Sequence, residues 1–199
     1  MINLDRAEQS SPYIKFYSLY DNCLKNNQKN SQAIAICSFD SDTNEVDARF
    51  VNLKYILGDE WIFFTNYNSP KSTQFRNHDQ ISAILYWDSI DIQIRLKGKI
   101  KKTSEQFSDK HYNSRSDEKN ALAFSSEQSS PIKSYQEVKD NFFNTLLNKK
   151  SFKKRPSYWG GYSFSPYSIE FWEGHKSRLN NREVFIKNKN LWQSIYLQP

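Results

Sequence analysis

Glycine, proline and cysteine are all scarce in this 199-residue sequence, which contains five, six and two of them respectively. So few glycines and prolines exclude a collagen-like or low-complexity chain. The two cysteines, Cys23 and Cys37, are too few for a disulfide framework, and the three histidines are dispersed, so we predict no bound metal. No apolar run approaches the roughly 18 residues of a membrane helix, and the first residues lack the order of a secretory signal. We therefore expect a cytoplasmic protein with no membrane partner.

Aromatic residues and positive charge are abundant instead. Phe, Tyr and Trp make up 16% of the chain although its mean hydropathy is only -0.83, and large rings can fill a core with few residues. A chain of this length can bury one full core, so we predict a single domain over residues 1–199. The net charge of +6 favours an anionic ligand. The basic run at 149–155 contains a single aromatic residue in a polar connection, which favours a solvated loop or the rim of an anionic-ligand site over nucleic-acid binding.

Hydrophobic periodicity predicts a mainly β protein with flanking helices. Four aromatic residues and a leucine recur at helical spacing from Tyr13 to Leu24, after a serine and a proline typical of a helix start. They predict one amphipathic helix, packed on the core, within an N-terminal segment 1–30. Short apolar runs separated by turn residues predict about eight strands in a barrel or sandwich rather than a parallel doubly wound sheet. We place these strands at residues 33–39, 46–55, 61–65, 81–86, 90–101, 168–172, 183–187 and 191–196, and further helices at 70–77, 105–113, 120–124 and 135–147.

Two distant segments carry charges and rings that suit one ligand. Residues 49–54, Arg-Phe-Val-Asn-Leu-Lys, put a cation at both ends of a strand, and residues 171–182 add an indole and two guanidinium groups. Ser69-Pro70-Lys71 combines the free N–H groups of a helix start with an ammonium, which favours a phosphate. The chain has no Gly-x-Gly-x-x-Gly fingerprint for a dinucleotide. A phosphate and a flat ring together suggest flavin mononucleotide (FMN).

Five motifs, in order along the chain, resemble the pyridoxine/pyridoxamine 5′-phosphate oxidase family. They are Arg-Phe-Val-Asn-Leu-Lys at 49–54, Phe-Thr-Asn at 64–66, Gln-Ser-Ser at 128–130, Pro-Ser-Tyr-Trp-Gly-Gly-Tyr at 156–162, and Phe-Trp-Glu-Gly followed by Arg-Leu-Asn-Asn-Arg at 171–182. The resemblance implies an FMN-binding split β-barrel that forms a homodimer with cofactor sites at the interface. It also implies that residues 156–199 form a C-terminal segment for dimerisation and for flavin and substrate contacts.

The same resemblance assigns individual residues to cofactor and substrate. It implies that FMN contacts Arg49, Phe50, Val51, Asn52, Leu53, Lys54, Phe64, Thr65, Lys71, Gln93, Gln128, Ser129, Trp172 and Arg182. It implies that the substrate contacts Lys54, His111, Arg115, Lys119, Arg178 and Asn180, with Arg178 and Asn180 also catalytic. The family usually has Tyr, Ser and His where this chain has His111, Lys119 and Asn180, and a basic residue where it has Pro70.

These assignments predict an FMN-dependent oxidase that converts pyridoxine or pyridoxamine 5′-phosphate to pyridoxal 5′-phosphate, with oxygen as the acceptor and hydrogen peroxide as the by-product. Its partners would be a phosphorylated small molecule, oxygen and a second copy of the chain. Asn180 removes a titratable group from the substrate pocket. An FMN-dependent oxidase of another reduced heterocycle, of the phenazine-biosynthesis type, is therefore an alternative, and a flavin-binding split barrel without enzymatic activity is another.

Overall fold

An antiparallel sheet of nine strands, flanked by five helices, forms the protein in a computed structural model that describes residues 1–5 and 7–199. The strands are β1 (Ala33–Asp40), β2 (Glu45–Asn52), β3 (Tyr55–Leu57), β4 (Glu60–Asn66), β5 (Gln80–Trp87), β6 (Ile92–Lys102), β7 (Trp159–Glu173), β8 (Asn181–Asn188) and β9 (Leu191–Tyr196). The helices are α1 (Ser11–Lys25), α2 (Pro70–Asn77), α3 (Glu105–Asn113), α4 (Asp117–Ser125) and α5 (Tyr135–Leu147). In the described part of the chain, no helix is both long and apolar enough to cross a membrane.

The sheet divides along strand β7. Its main path runs β2-β1-β5-β6-β7-β4-β3, and β8 and β9 branch from it. The first half of β7 pairs with β4, from Phe164 opposite Trp61 to Trp159 opposite Asn66, whereas its second half pairs with β8. One strand therefore has two successive partners on the same side, and the sheet splits into two lobes. Between the described strands β2 and β3, at the two ends of the path, there is no pairing that closes the sheet into a ring.

Strand β6 pairs with β7 over its whole length, from Ile92 to Lys102. Their register shifts between Lys97, which lies opposite Ser168, and Gly98, which lies opposite Pro166. A bulge accommodates proline within a strand because proline has no N–H for the ladder. A Cβ at Gly98 would lie 2.9 Å from the carbonyl oxygen of Ser165, so glycine is the residue that fits this close approach.

Helix α1 supplies aromatic side chains to the core, as its periodicity predicts. Tyr13, Phe16 and Tyr20 are each at most 3% exposed. The ring centroid of Phe16 lies 4.6 Å from that of Trp61 and 5.6 Å from that of Trp87. Full burial of a side chain of this size stabilises the fold by roughly 1.5–3 kcal/mol. Contacts between aromatic rings therefore hold α1 against the sheet.

The predicted elements are confirmed with differences at three places. Residues 46–55 form two strands because the backbone changes partner there: the N–H of Leu53 donates to Gln32 beside β1, and that of Lys54 donates to Ile62 on β4. Strand β7 begins at Trp159 rather than at 168, since its glycine pair, which is unfavourable in strands, lets β7 pack closely on Tyr67 and Thr103. Helix α4 begins three residues earlier than predicted, after Ser116.

The basic run at 149–155 is not a uniformly solvated loop, which corrects the sequence prediction. The side chain of Arg155 is only 5% exposed and forms ion pairs with Glu105 and Asp109 on α3. It also donates from Nη1 to the carbonyl oxygen of Trp159 at 2.6 Å. Arg155 therefore fastens α3 to the start of β7, whereas the lysines of the run are exposed.

Candidate functional site

A cavity of about 720 Å³ lies where β2 and β4 meet the start of α2 and the connection between α3 and α4. Many residues that the sequence assigns to cofactor or substrate line it: Arg49, Phe50, Val51, Asn52, Lys54, Phe64, Thr65, Lys71, His111, Arg115, Lys119, Gln128 and Ser129. Asp47, Pro70, Ser114, Ser116 and Trp159 also belong to the lining. The cavity thus brings together assigned residues that are up to 80 positions apart in the chain (49 and 129).

The first cation group of the cavity consists of Lys71 and Arg49. Lys71 lies in the first turn of α2, is 6% exposed, and donates from Nζ to the hydroxyl oxygens of Ser69 (3.0 Å) and Thr65 (3.3 Å). Within the described residues its hydrogen-bond partners are therefore neutral hydroxyls. Burial, together with the nearby charge of Arg49, lowers the pKa of Lys71 from 10.5 to about 8. An ammonium in this position lacks a full counter-charge.

Arg49 is held in place by neighbouring polar groups. It donates from Nη1 to Ser38 Oγ at 2.5 Å and from Nη2 to Gln74 Oε1 at 3.0 Å, and it forms an ion pair with Asp47. Strand β1 carries Ser38 and α2 carries Gln74, so both ends of the guanidinium are oriented by rigid elements. Ser69 precedes Pro70 at the start of α2 as predicted, but its hydroxyl does not cap the helix.

The second cation group consists of Lys54, Arg115 and Lys119. The guanidinium carbon of Arg115 lies 4.2 Å from the ring centroid of Trp159, and its Nη2 donates to the carbonyl oxygen of Lys119 at 2.6 Å. Its Nη1 is buried and has no hydrogen-bond partner among the described residues. Burial lowers the pKa of Arg115 to about 10, and burial together with the charges of Lys119 and Arg115 lowers the pKa of Lys54. This group is poised to accept an anion.

His111 joins the second cation group to a stack of aromatic rings. Its ring centroid lies 3.7 Å from that of Phe64, and Phe64 in turn stacks on Trp159 at 5.4 Å. Its Nδ1 shares a hydrogen bond of 2.8 Å with the hydroxyl of Tyr55. Burial and the surrounding charges, Arg115 first among them, lower the pKa of His111 to about 4. The imidazole is therefore neutral at neutral pH.

Gln128 ties the segment after α4 to strand β4. Its Oε1 accepts hydrogen bonds from Thr65 Oγ1 at 3.0 Å and from the Asn66 N–H at 3.3 Å. The next residue, Ser129, adopts a left-handed conformation with φ of 73°. The oxygen of Gln128 is thus committed to β4, which leaves its NH₂ group for a ligand.

The remaining assigned residues do not line this cavity. Gln93, Trp172 and Arg182 face one another across β6, β7 and β8, because Gln93 pairs with Trp172 and Trp172 pairs with Arg182. Directly opposed residues of antiparallel strands share one face, so these three form a single row. Arg182 donates from Nε and Nη2 to Glu170 Oε1 at 2.9 and 2.8 Å. We call this set the C-terminal row.

Arg178 and Asn180 lie in the loop between β7 and β8. Arg178 is exposed and has a positive φ of 60°. Asn180 Oδ1 accepts a hydrogen bond from the N–H of His175 at 3.1 Å. Leu53 is also absent from the cavity lining, since its side chain is fully buried in the core. Within one chain, the predicted catalytic residues Arg178 and Asn180 therefore do not line the cavity that contains the two cation groups.

Two residues that contact assigned side chains of the cavity, Trp159 and Tyr55, were not assigned a role from the sequence. Trp159 forms the floor beneath Arg115, and its only sequence signal was its place in the motif at 156–162. Tyr55 reaches His111 from the strand next to β4, a contact between residues 56 positions apart that periodicity does not reveal.

The fold and the cavity define a split-sheet protein with two cation groups in one pocket. The chain belongs to the pyridoxine/pyridoxamine 5′-phosphate oxidase family, as the motifs predicted. It is 30% identical over 194 residues to the pyridoxine/pyridoxamine 5′-phosphate oxidase of Leptospira interrogans, covering 96% of this chain and 89% of that protein. It is 33% identical over 202 residues to the enzyme of the same name from Christiangramia forsetii, covering 98% and 92%.

Further comparisons concern the C-terminal region and the fold. Residues 159–199 match the family model described as the pyridoxine 5′-phosphate oxidase C-terminal dimerisation region. The structure of PhzG from Burkholderia lata 383, in complex with tetrahydrophenazine-1-carboxylic acid, superposes with a TM-score of 0.89 at 24% identity, covering 96% of this chain and 93% of that one. A pyridoxamine 5′-phosphate oxidase-related, FMN-binding protein from Nostoc punctiforme superposes with a TM-score of 0.78 at 12% identity, covering 96% and 99%. These likenesses confirm the predicted split-barrel fold.

Proposed function

We propose that this protein is an FMN-dependent oxidase that converts pyridoxine or pyridoxamine 5′-phosphate to pyridoxal 5′-phosphate, with oxygen as the acceptor and hydrogen peroxide as the by-product. Membership of the oxidase family supports both the oxidoreductase class and the FMN cofactor. The observation that carries the proposal is the division of the cavity's positive charge into two cation groups. One group suits the phosphate of the cofactor, and the other suits the phosphate of the substrate.

The first cation group fits the phosphate of FMN. A buried ammonium without a full counter-charge is costly, and Lys71 is in that state. A phosphate dianion beside Lys71 and Arg49 would remove the cost and form charge-assisted hydrogen bonds. Pro70 contributes no side-chain donor there, so Lys71 carries a larger share of the binding.

The second cation group fits a phosphate on the substrate. Arg115 has one buried N–H group without a partner among the described residues, and a planar guanidinium suits bidentate contact with phosphate. Lys54 and Lys119 add two further charges to the lining, and Lys54 is close enough to Lys119 and Arg115 for their charges to lower its pKa. When bound, FMN supplies the hydride-accepting chemistry and reacts with oxygen, and the protein supplies position and electrostatics.

The complete site requires a homodimer of single-domain subunits in this proposal. The C-terminal row carries three assigned flavin contacts but does not line the cavity of its own chain. Two of its members, Trp172 and Arg182, lie within residues 159–199, which match the dimerisation model. In the dimer, the row and the β7–β8 loop of one subunit would complete the cavity of the other. Arg182 would then stabilise negative charge on the reduced flavin, and Arg178 and Asn180 would face the substrate.

One observation favours a second candidate, an FMN-dependent oxidase of another reduced heterocycle. Asn180 stands where the family usually has histidine, and its oxygen is bound within its own loop. It therefore offers no titratable group to a substrate.

The test is to purify the protein, record its visible absorbance, and measure peroxide release with pyridoxine 5′-phosphate, pyridoxamine 5′-phosphate and a reduced phenazine. Flavin absorbance and peroxide from either B6 phosphate are the expected results. A colourless protein that does not take up added FMN would contradict the cofactor assignment. Peroxide from the unphosphorylated phenazine alone would replace the first candidate by the second.

A further inference from the structure

The hydrogen bond between Tyr55 and His111 determines which nitrogen of the imidazole is available to a ligand. Tyr55 on β3 approaches Nδ1 at 2.8 Å, and its ring meets the imidazole edge-on at an interplanar angle of 82°. Phe64 stacks against the flat face of the imidazole at 3.7 Å. His111 is therefore fixed by two aromatic neighbours on separate strands. Its Nε2 is the nitrogen left for a ligand in the cavity that His111 lines.

Burial and the charges around His111 keep it from acting as a cation. Burial lowers the pKa of His111 most, and the charges of Arg115, Lys54 and Lys119 lower it further, to about 4. A neutral imidazole carries one proton, on either Nδ1 or Nε2, and the hydrogen bond made by one nitrogen sets the state of the other. A tyrosine hydroxyl can donate to Nδ1, which then leaves the proton on Nε2.

We propose that Tyr55 is a positioning residue for the second cation group: when a dianion such as a phosphate monoester binds there, the Tyr55 hydroxyl donates to Nδ1 of His111 and holds the neutral imidazole as the Nε2–H tautomer, which donates to the anion. The inference rests on the proposed function in treating this group as the substrate-anion subsite. His111 then replaces, as a neutral donor, the tyrosine usual in the family at that position. The site would then favour a tetrahedral dianion, because the N–H of the neutral His111 adds a directional hydrogen bond to the less directional attraction of the three cations in the second cation group.

The test uses sulfate as the probe, since it remains a dianion from pH 6 to 8, and FMN-supplemented protein so that cofactor fills the first cation group. With only three histidines in the chain, ¹⁵N-histidine spectra can be assigned by comparison with His111→Phe. At pH 7.5 with sulfate, we expect His111 to show a protonated Nε2 and an unprotonated Nδ1. An imidazolium spectrum, a proton on Nδ1, or wild-type protein that does not bind sulfate would each overturn the inference.

A double-mutant cycle separates positioning from folding. Tyr55→Phe keeps the ring contacts with Phe64, Phe107 and His111 and removes only the hydroxyl. It should weaken sulfate binding about three- to tenfold in the wild-type background and have no effect in the His111→Phe background. An equal loss in both backgrounds, or no loss in either, would contradict the proposal.

The outcome can be told apart from failure of the proposed function. The tautomer spectra and the sulfate affinities do not depend on turnover. They can also be measured without FMN on protein carrying Lys71→Met, whose first cation group keeps only Arg49, which is ion-paired with Asp47. A protein that never binds FMN but shows the Nε2–H tautomer would contradict the proposed cofactor and support this inference.

Discussion

Replacing Lys71 by methionine should change stability and cofactor binding in opposite directions. Methionine has a similar length and no charge. The two hydroxyls that Lys71 contacts keep other partners, since Ser69 Oγ donates to the Asn66 carbonyl at 2.7 Å and Thr65 Oγ1 donates to Gln128 at 3.0 Å. The substitution therefore removes a buried charge without leaving those hydroxyls unpaired.

The magnitude follows from the lowered pKa of Lys71. A fall from 10.5 in the unfolded chain to about 8 in the flavin-free fold corresponds to an upper bound of roughly 3 kcal/mol. Because the folded pKa lies below the unfolded one, this destabilisation is fully present below about pH 8 and disappears as the pH rises to 10.5. At pH 7, Lys71→Met should stabilise flavin-free protein by about 1–3 kcal/mol, which corresponds to about 2–4 °C in Tm per kcal/mol. The difference from wild type should shrink at pH 10.

FMN affinity should move the other way. Loss of a charge-assisted hydrogen bond to phosphate costs about 1.5–3 kcal/mol, or roughly 10- to 150-fold in Kd. Flavin fluorescence quenching measures Kd, and thermal melts of flavin-free protein measure stability. Lys150→Met, a loss of the same charge at an exposed loop position, should change neither quantity. Unchanged FMN affinity in Lys71→Met would place the phosphate elsewhere, and a destabilised flavin-free variant at pH 7 would refute the argument about buried charge.

Three further predictions address other parts of the molecule. Arg115→Ala should raise KM for pyridoxine 5′-phosphate at least tenfold with a smaller change in kcat, as steady-state kinetics would show, whereas equal kcat/KM would remove Arg115 from the substrate site. Asn180→His should raise kcat if the missing imidazole limits turnover, and an unchanged kcat would exclude that limitation. Arg155→Met should destabilise the protein by about 1–3 kcal/mol in urea titrations, because it removes the ion pairs that join α3 to the start of β7. The loss is limited because Glu105 and Asp109 can then be hydrated, and no loss of stability would show that these ion pairs do not stabilise the fold.

The sequence predicted most helices and strands because their signals are local. Strand β1 alternates buried and partly buried residues, and α1 repeats its rings at helical spacing, so both were found from periodicity. The start of β7 was missed because what favours a strand there is not local in the sequence. Its residues Gly160 and Gly161 have low strand propensity, and what makes them suitable is close packing against Tyr67 and Thr103 from elsewhere in the chain.

In the candidate site, too, some residues could be identified from the local sequence, whereas others depend on contacts between distant parts of the chain. Arg49 and Lys71 were identified from motifs and Arg115 from the family resemblance, and the structure places all three in one cavity. The roles of Tyr55 and Trp159 depend on contacts made only after folding, namely the hydrogen bond to His111 and the ring beneath Arg115. Motifs can identify the charged residues, but the groups that orient them and set their pKa values come from tertiary packing.

The separation of the cavity from the C-terminal row is the reason why we propose that two chains complete each site. The cavity supplies positive charge for two phosphates, but the assigned indole of Trp172 and the assigned guanidinium of Arg182 lie on the other lobe of the sheet, beyond the point where β7 changes partner. In a single chain Arg182 is bound to Glu170, so it is oriented before any ligand arrives. Two copies related by a twofold axis would each offer a row to the other's cavity, and both sites would be completed by one interface. A stable monomer that binds FMN as tightly as the dimer, measured by light scattering alongside fluorescence titration, would refute this arrangement, because it would show that the row is not needed for the cofactor.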